Sequence, residues 1–552
     1  MDPPSEEPLG RSPVIGPQGT FFLGRFWFLR LLGLVYLVAF GGMLRDGVAL
    51  IGEDGLLPAT VWMADALESL GGPWEATQRA PSLFWWTGFS DGGLVAVCLL
   101  GVVLSLVVLA GFANVPMLLA LWALYFSVVT VGQRWFHFGW ESQLLETTLL
   151  ACTLAPLWDG RPWRGRPSRL GVVLGWWLSA RIMLGAGLIK LRGGECWREL
   201  TCLNWHFETQ PVPGPLSRLM HGLPTEALAG GVLANHAVEL LAPVLIWGPR
   251  RLRHAAGLAM VAFQGVLILS GNLSFLNWLT LVPLLLLFDD EAGVWGRMRR
   301  WVPGGAARAA EVPRGGAMAG ADGPAPVRAH TAAIWLYAAV VAWASVPVVV
   351  NLLSNEQSMN RSFGALRVVN TYGAFGSVGE RRFEIVIEGT ADEDAVGGWR
   401  EFAFRAKPGA VDHRPPWITP WHHRLDWLAW FAGLEAARGR GLRREAWVAH
   451  LAWKLLEGDD GARALMAPGC AAGQTGHCNP FPDAPPRWVR VRLFEYAFAD
   501  VARTQPDDLG DWEVGRWWRR RERGLVFPPL SLESEELREF LRGRGWLEAP
   551  AP

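Results

Sequence analysis

Long apolar runs separated by short polar or charged connectors fill the first 350 residues and set the reading of everything that follows. A hydrocarbon layer about 30 Å thick is crossed by about 20 apolar residues in a helix. Such runs fall at residues 21–44, 92–112, 114–133, 170–191, 227–247, 255–270 and 331–350, with two polar-dotted stretches at 141–158 and 273–288. The pattern therefore predicts about nine spans. Beyond about Asn351 the period changes. Arg382 to Gly389 alternates polar and apolar residues, as a strand does, and Trp399 to Ala406 and Trp488 to Phe498 read likewise. Leu425 to Ala437 and Arg443 to Glu457 carry Trp, Leu and Phe at helical spacing, and Glu533 to Leu541 reads as a last short helix. The fold class expected is a polytopic α-helical membrane domain followed by an α+β C-terminal domain. Its boundaries fall at a tail 1–20, a membrane domain 21–290, a linker 291–330, a last span 331–350 and the α+β domain 351–552.

Loop charges orient the spans. With the N-terminus in the cytoplasm, Arg161, Arg164, Arg166 and Arg169 lie inside, as do Arg250, Arg251 and Arg253. The connector holding Arg297, Arg299, Arg300, Arg308, Arg314 and Arg328 also lies inside. The loop from Arg45 to Asp91, with Asp46, Glu53, Asp54, Asp65, Glu68 and Glu75, lies outside. This is the positive-inside arrangement, and it needs an odd number of crossings. It puts the loop 192–226 and the whole C-terminal domain on the extracytoplasmic side, where disulfides form. Residues 1–20 have no apolar core, so the first run serves as an uncleaved signal anchor. The Gly-, Ala- and Pro-rich stretch from Pro303 to Val327 reads as a flexible cytoplasmic linker.

Composition sharpens this. Hydrophobic residues make up 51% of the chain and charged residues 18%, below the ~25% of an ordinary soluble protein. The formal net charge is zero, so nothing points to nucleic acid. The only lysines are Lys190, Lys407 and Lys454; with the many Ala, Gly, Pro and Trp this suggests GC-rich codon usage and a bacterial inner membrane.

Lys190 sits near the outer end of its run, and an ionisable residue in a span is a functional candidate by default. The plain alternative is a lysine snorkelling to the interface. Arg181 is nine residues away, hence on the opposite helix face. Glu141 and Glu146 begin a span at the same outer level, and His236 and Glu239, three apart, share a face. The Lys190 ammonium is expected to point into the bundle near Glu141, Glu146 or Glu239, as part of a structural ion-pair network or of a catalytic site. No catalytic residue is assigned. Cys98 and Cys152 read as buried thiols. Cys196 and Cys202 read as a structural disulfide, or as a redox pair of unusual spacing, and Cys470 and Cys478 as a simple staple. His206, Glu208, His221, His422 and His423 show no recognised ligand spacing, so neither a metal nor a resident cofactor is expected. Trp399, Trp427, Trp430, Trp517 and Trp518 read as core, of which an exposed subset would offer clients an apolar surface.

Several long motifs bear a resemblance to one family. WFHFGWESQLLETTLLACTLAP from Trp135 is one, and RIMLGAGLIKLRGGECWRELTCLNWHFETQPVPGPLSRLMHGLP from Arg181 and GNLSFLNWLTL from Gly271 are others. NTYGAFG from Asn370, RFEIVIEGT, WREFAFRAKPG, HRLDWLAWFAGLE, CNPF and RWVRVRLFEYAF continue the series. Together, over roughly residues 20 to 545, they resemble the lipase maturation factors. Animal members of that family reside in the endoplasmic reticulum membrane and are required for folding and assembly of dimeric secreted lipases. The resemblance implies a folding-assistance role, with membrane lipid and an exported, lipase-like client as partners, and no known reaction. AGLIKL followed by Trp197 is also similar to a motif in the membrane domain of the vitamin K-dependent γ-carboxylase. That second resemblance implies an alternative: an integral membrane enzyme with Lys190 as base beside a lipid-soluble cofactor. Client identity and oligomeric state stay open.

Overall fold

The computed structural model describes residues 19–296, 298, 301–302, 325–439, 442–471, 476–499 and 515–547. Residues 1–18 of the expected tail, most of the linker and its Arg297, Arg299, Arg300, Arg308 and Arg314 lie outside the described residues.

Each of the nine apolar stretches forms a helix, but the helices are of two kinds. Six are long and apolar enough to cross a membrane: α1 (Phe22–Ile51), α2 (Asp91–Ala110), α5 (Arg169–Gly193), α6 (Thr225–Leu245), α7 (Arg250–Ser270) and α9 (Ala325–Leu353). Two apolar helices are shorter, α3 (Val115–Val131) and α8 (Leu276–Leu287). The last, α4 (Gly139–Leu154), has 16 residues, nearly all of them buried. At 1.5 Å per residue it is about 24 Å long. The expectation of about nine spans, two of them polar-dotted, is met by six helices long and apolar enough to cross and three shorter ones. Sequence periodicity sees apolar content but not which helix is enclosed by the others.

Small residues set the close approaches. A side chain at Gly33 would meet the Leu109 backbone nitrogen at 2.7 Å, so α1 and α2 pack nearly backbone to backbone there. The outer faces stay apolar and uncovered: Leu99, Val103 and Leu106 on α2, Leu258 and Val266 on α7, Trp335, Trp343 and Val350 on α9. Such faces suit hydrocarbon rather than water.

The C-terminal region is an antiparallel sheet of order β2-β1-β3-β4. The strands are β1 (Arg382–Thr390), β2 (Arg400–Glu401), β3 (Trp488–Phe498) and β4 (Trp518–Leu530). Helix α10 (Arg424–Ala437) lies on β1, where Gly433 approaches the Phe383 carbonyl so closely that a side chain would overlap it. Helices α11 (Trp447–Glu457) and α12 (Glu535–Arg542) complete the unit. The expected strand from Trp399 to Ala406 is cut to two residues. Beyond Phe402 its amides turn to side chains: Ala403 donates to Asn479 (3.1 Å), and Ala406 and Lys407 donate to the Asp426 carboxylate (2.6 and 2.9 Å). Strand β4 has no counterpart among the expected elements. Its arginine run hides the alternation, because those side chains pair with carboxylates: Arg520 with Glu401, Arg523 with Glu495. Charge and proline on the outermost strand discourage pairing with other chains.

One hydrophobic core runs from Phe21, just before α1, through the bundle to Leu541 in α12, so the helical and α+β regions share an interior.

Candidate functional site

The enclosed helix α4 has to satisfy its own polar groups from its neighbours, since a buried unpaired charge costs several kcal/mol. Glu141 accepts from the Tyr125 hydroxyl, the Trp140 indole (2.9 Å) and the Arg424 guanidinium (2.8 Å). Glu146 pairs with Arg181 and accepts from Tyr372 (2.6 Å) and from both nitrogens of Asn370 (3.1 and 2.9 Å). Each carboxylate of α4 is thus closed by the C-terminal half of the chain.

Lys190 is buried, with its ammonium inside the bundle. It donates to Glu239 (2.5 Å) and Asn235 (3.1 Å) and lies 5.1 Å from the centre of the Trp197 ring. Asn235 in turn donates to the other Glu239 oxygen at 3.0 Å. Residues Ala237–Leu241 of α6 form a π-helical turn, a local widening that recurs at functional sites. His236 points elsewhere, its Nε2 donating to the Trp197 carbonyl at 3.0 Å. Arg181 and Lys190 therefore serve two separate pairs, as their opposite helix faces require.

Cys196 and Cys202 are bonded, as are Cys470 and Cys478; Cys98 and Cys152 are free. The first disulfide closes the loop that carries Trp197, whose indole donates to the Phe375 carbonyl at 2.8 Å.

The loop NTYGAFG, Asn370 to Gly376, threads between these groups. Asn370 and Tyr372 reach Glu146, Phe375 takes the Trp197 bond and packs edge-on against His206, and Gly376 rests on Ile189. The tight fit needs glycine on the facing helix: a side chain at Gly185 would overlap the Tyr372 carbonyl. Arg382, fully buried at the start of β1, donates to the carbonyls of Glu208 (2.9 Å) and Pro211 (2.8 Å) and pairs with Glu384 (2.5 Å), which also holds Lys407 (3.0 Å). Glu208 accepts the Phe498 amide at 2.7 Å, and burial raises its carboxyl to about 7. Burial likewise raises Asp426 to about 6 and lowers His423 to about 3.

Between the membrane helices and α10 lies a cavity of about 1070 Å³. Ile182, Met183 and Ala186 of α5 and Phe263 and Leu267 of α7 form its apolar inner wall. Trp427, Trp430, Phe431 and Leu434 line the α10 side, and Arg438, Arg443 and Arg444 stand at its rim. Glu239 borders it, while Lys190 does not.

Among the expected residues, Lys190 and Glu239 come together, Glu141 and Glu146 sit in neighbouring but distinct pairs, and His236 joins neither. Trp427 and Trp518 are buried, and Trp399, Trp430 and Trp517 are half-buried. The uncovered rings are others, such as Trp417, Trp335 and Trp343. Glu208 and His221 face each other at 3.7 Å, His206 packs edge-on against Phe375 and His422 edge-on against Trp140, and among the described residues no group of three His, Cys, Asp or Glu could hold a metal ion. Sequence reasoning missed Arg424, Tyr372 and the cavity. A usable signal existed for the cavity: Gln264 and Asn277 are polar residues inside apolar runs.

Comparison with known proteins bears on all of these residues. Residues 23–295 match the family described as Lipase maturation factor transmembrane domain, and residues 368–528 match Lipase maturation factor C-terminal domain. Lipase maturation factor 1 of Bos taurus is 42% identical over 99% of this chain and 96% of its own length. The Homo sapiens protein of that name is 41% identical over 99% and 95%. Lipase maturation factor 2 of Xenopus tropicalis is 29% identical over 97% and 86%. No solved structure matches the chain.

Proposed function

The chain belongs to the lipase maturation factor family, and from that premise we propose that it is a membrane-embedded factor assisting the folding or assembly of exported lipases. The observation that carries this reading is similarity across the membrane helices and the α+β domain alike, over 99% of the chain. The geometry fits: the motif loop from Asn370 fastens the domain to the spans through Glu146 and Trp197, so a client held by one part is placed against the other. The α+β domain faces the extracytoplasmic side, a reading supported by the arginine-rich loops and by two disulfides. The membrane is the inner membrane of a bacterium, as the arginine-over-lysine composition suggests; the endoplasmic reticulum membrane is its counterpart in animals.

The carboxylase-like alternative gains no support. The matches are to lipase maturation factors, and Lys190 is held in an ion pair rather than poised as a free base. The test is complementation. Expressed in cells that lack their own factor together with a secreted dimeric lipase, the full chain should raise active lipase in the medium well above an empty vector. Unchanged lipase activity, with the factor present in the membrane, would refute the reading.

A further inference from the structure

The cavity beneath α10 is graded from end to end. Its inner wall is aliphatic and aromatic, from Ile182, Met183, Phe263 and Leu267. Two amide side chains there lack full partners. Asn277, 4% exposed, makes no hydrogen bond to its side chain among the described residues, and Gln264, 4% exposed, reaches only the Met183 sulfur at 3.9 Å. Buried amides of this kind ordinarily have partners. A ring of aromatic side chains follows, with Phe138 stacked on Trp140 at 4.6 Å and Trp427 edge-on to both. The rim is basic. Arg438 and Arg443 are exposed and make no ion pair among the described residues, and Arg444 stands beside them near Glu445. Of the acidic groups present, Glu239 is neutralised by Lys190 and Glu445 by Arg134, while Glu435 accepts the Arg444 amide at 3.3 Å and leaves its second oxygen without a hydrogen bond among the described residues, one carboxylate against three arginines.

We propose that this cavity binds an anionic amphiphile with an acyl chain, its chain along α5 and α7 and its head at the arginines of the α10 end. The volume, about 1070 Å³, is at the upper end for a small-molecule site and suits a chain with a headgroup. The lining contains no open strand edge: β2 and β4 are the sheet edges, and neither borders the cavity, so it lacks the hydrogen-bonding row that captures an extended peptide. The exposed guanidinium groups select negative charge, and Asn277 and Gln264 offer donors to ester groups where the occupant carries them. Two sources share this chemistry, an anionic phospholipid of the bilayer and a free fatty acid.

Full-length protein in detergent micelles would be photolabelled with a diazirine-bearing phosphatidylglycerol, diazirine-bearing palmitate or, as control, a diazirine-bearing phosphatidylcholine, and the labelled peptides mapped by mass spectrometry. We expect an anionic probe to label the peptides holding Phe263–Leu267 and Trp427–Leu434, with phosphatidylcholine confined to the outer faces of α2, α7 and α9. Labelling by phosphatidylglycerol alone assigns the bilayer lipid, and labelling by palmitate assigns the free acid. Arg438→Ala/Arg443→Ala/Arg444→Ala, at exposed positions, should cut anionic labelling about tenfold. Ala186→Trp, which fills the inner wall, should abolish it. The proposal falls if neither anionic probe marks the cavity peptides. It also falls if phosphatidylcholine marks them equally, or if the arginine variant, folded and in the membrane, labels as strongly as the parent.

Discussion

Removing one member of the Lys190–Glu239 pair leaves the other charge buried among apolar helices, a loss of about 3–5 kcal/mol. Lys190→Met should therefore lower both the yield of membrane-inserted protein and its apparent melting temperature in detergent. Lys190→Met/Glu239→Leu should recover both, together with lipase maturation. A double variant that regains stability but not maturation would show that Lys190 contributes more than structure. His450 supplies a pH-dependent counterpart in the α+β domain. Burial lowers its imidazole to about 4, and its Nδ1 donates to the Leu56 carbonyl at 2.9 Å. The folded protein keeps this group neutral while the unfolded chain protonates it near pH 6.5. Its stability is complete above that pH and declines as the pH falls toward 4, at about 1.4 kcal/mol per pH unit within the window. Asn in its place keeps a donor without titrating. His450→Asn should thus lose less melting temperature between pH 7.5 and 5.0 than the parent, and an equal loss would discount this histidine.

At the scale of elements, the crossing of the Tyr372 backbone over Gly185 tests how the motif loop is held. Gly185→Ala should displace the loop, at a cost of about 1–3 kcal/mol, and make residues 355–381 an early site in limited proteolysis. Gly42→Ala, whose added carbon would meet nothing within 4 Å, should leave the digestion pattern unchanged. The contrast also shows what the sequence could tell. Helices with 20 apolar residues, and strands such as β1 and β3 with their alternation intact, were legible because their signals are local. Strand β4 was not, since its arginines are answered by Glu401 and Glu495 on other strands, while its own Glu522 answers Arg492 of β3. The Lys190–Glu239 pair was within reach, as an intramembrane charge seeks an opposite one. Its neighbours Asn235 and Trp197 depend on a π turn and a disulfide loop that no periodicity marks. The cavity lies between elements far apart in sequence, and its arginines look like ordinary surface charge until α10 is set against α5 and α7.

For the molecule as a whole, orientation has a direct test. Val396→Cys, at a position 85% exposed in the α+β domain, should react with an impermeant maleimide in intact cells or spheroplasts, whereas Arg251→Cys should react only after permeabilisation. The reverse pattern would overturn the odd number of crossings. The bond between Glu141 and Arg424 joins residues 283 apart. At 5–20 residues per second, the ribosome needs roughly 15–60 s to deliver that arginine after α4 has been made. Until then the carboxylate has only Tyr125 and Trp140 for company, and Glu146 awaits Tyr372. A nascent chain in this interval carries a chemical flag inside the bilayer, visible to proteases that survey membranes for orphaned polar groups, and only the finished polypeptide takes it down. Chains stopped after Leu353 should accordingly decay faster than complete ones in a pulse-chase, despite holding every hydrophobic span. Translation to the far end of the message would then be proofread from within the membrane.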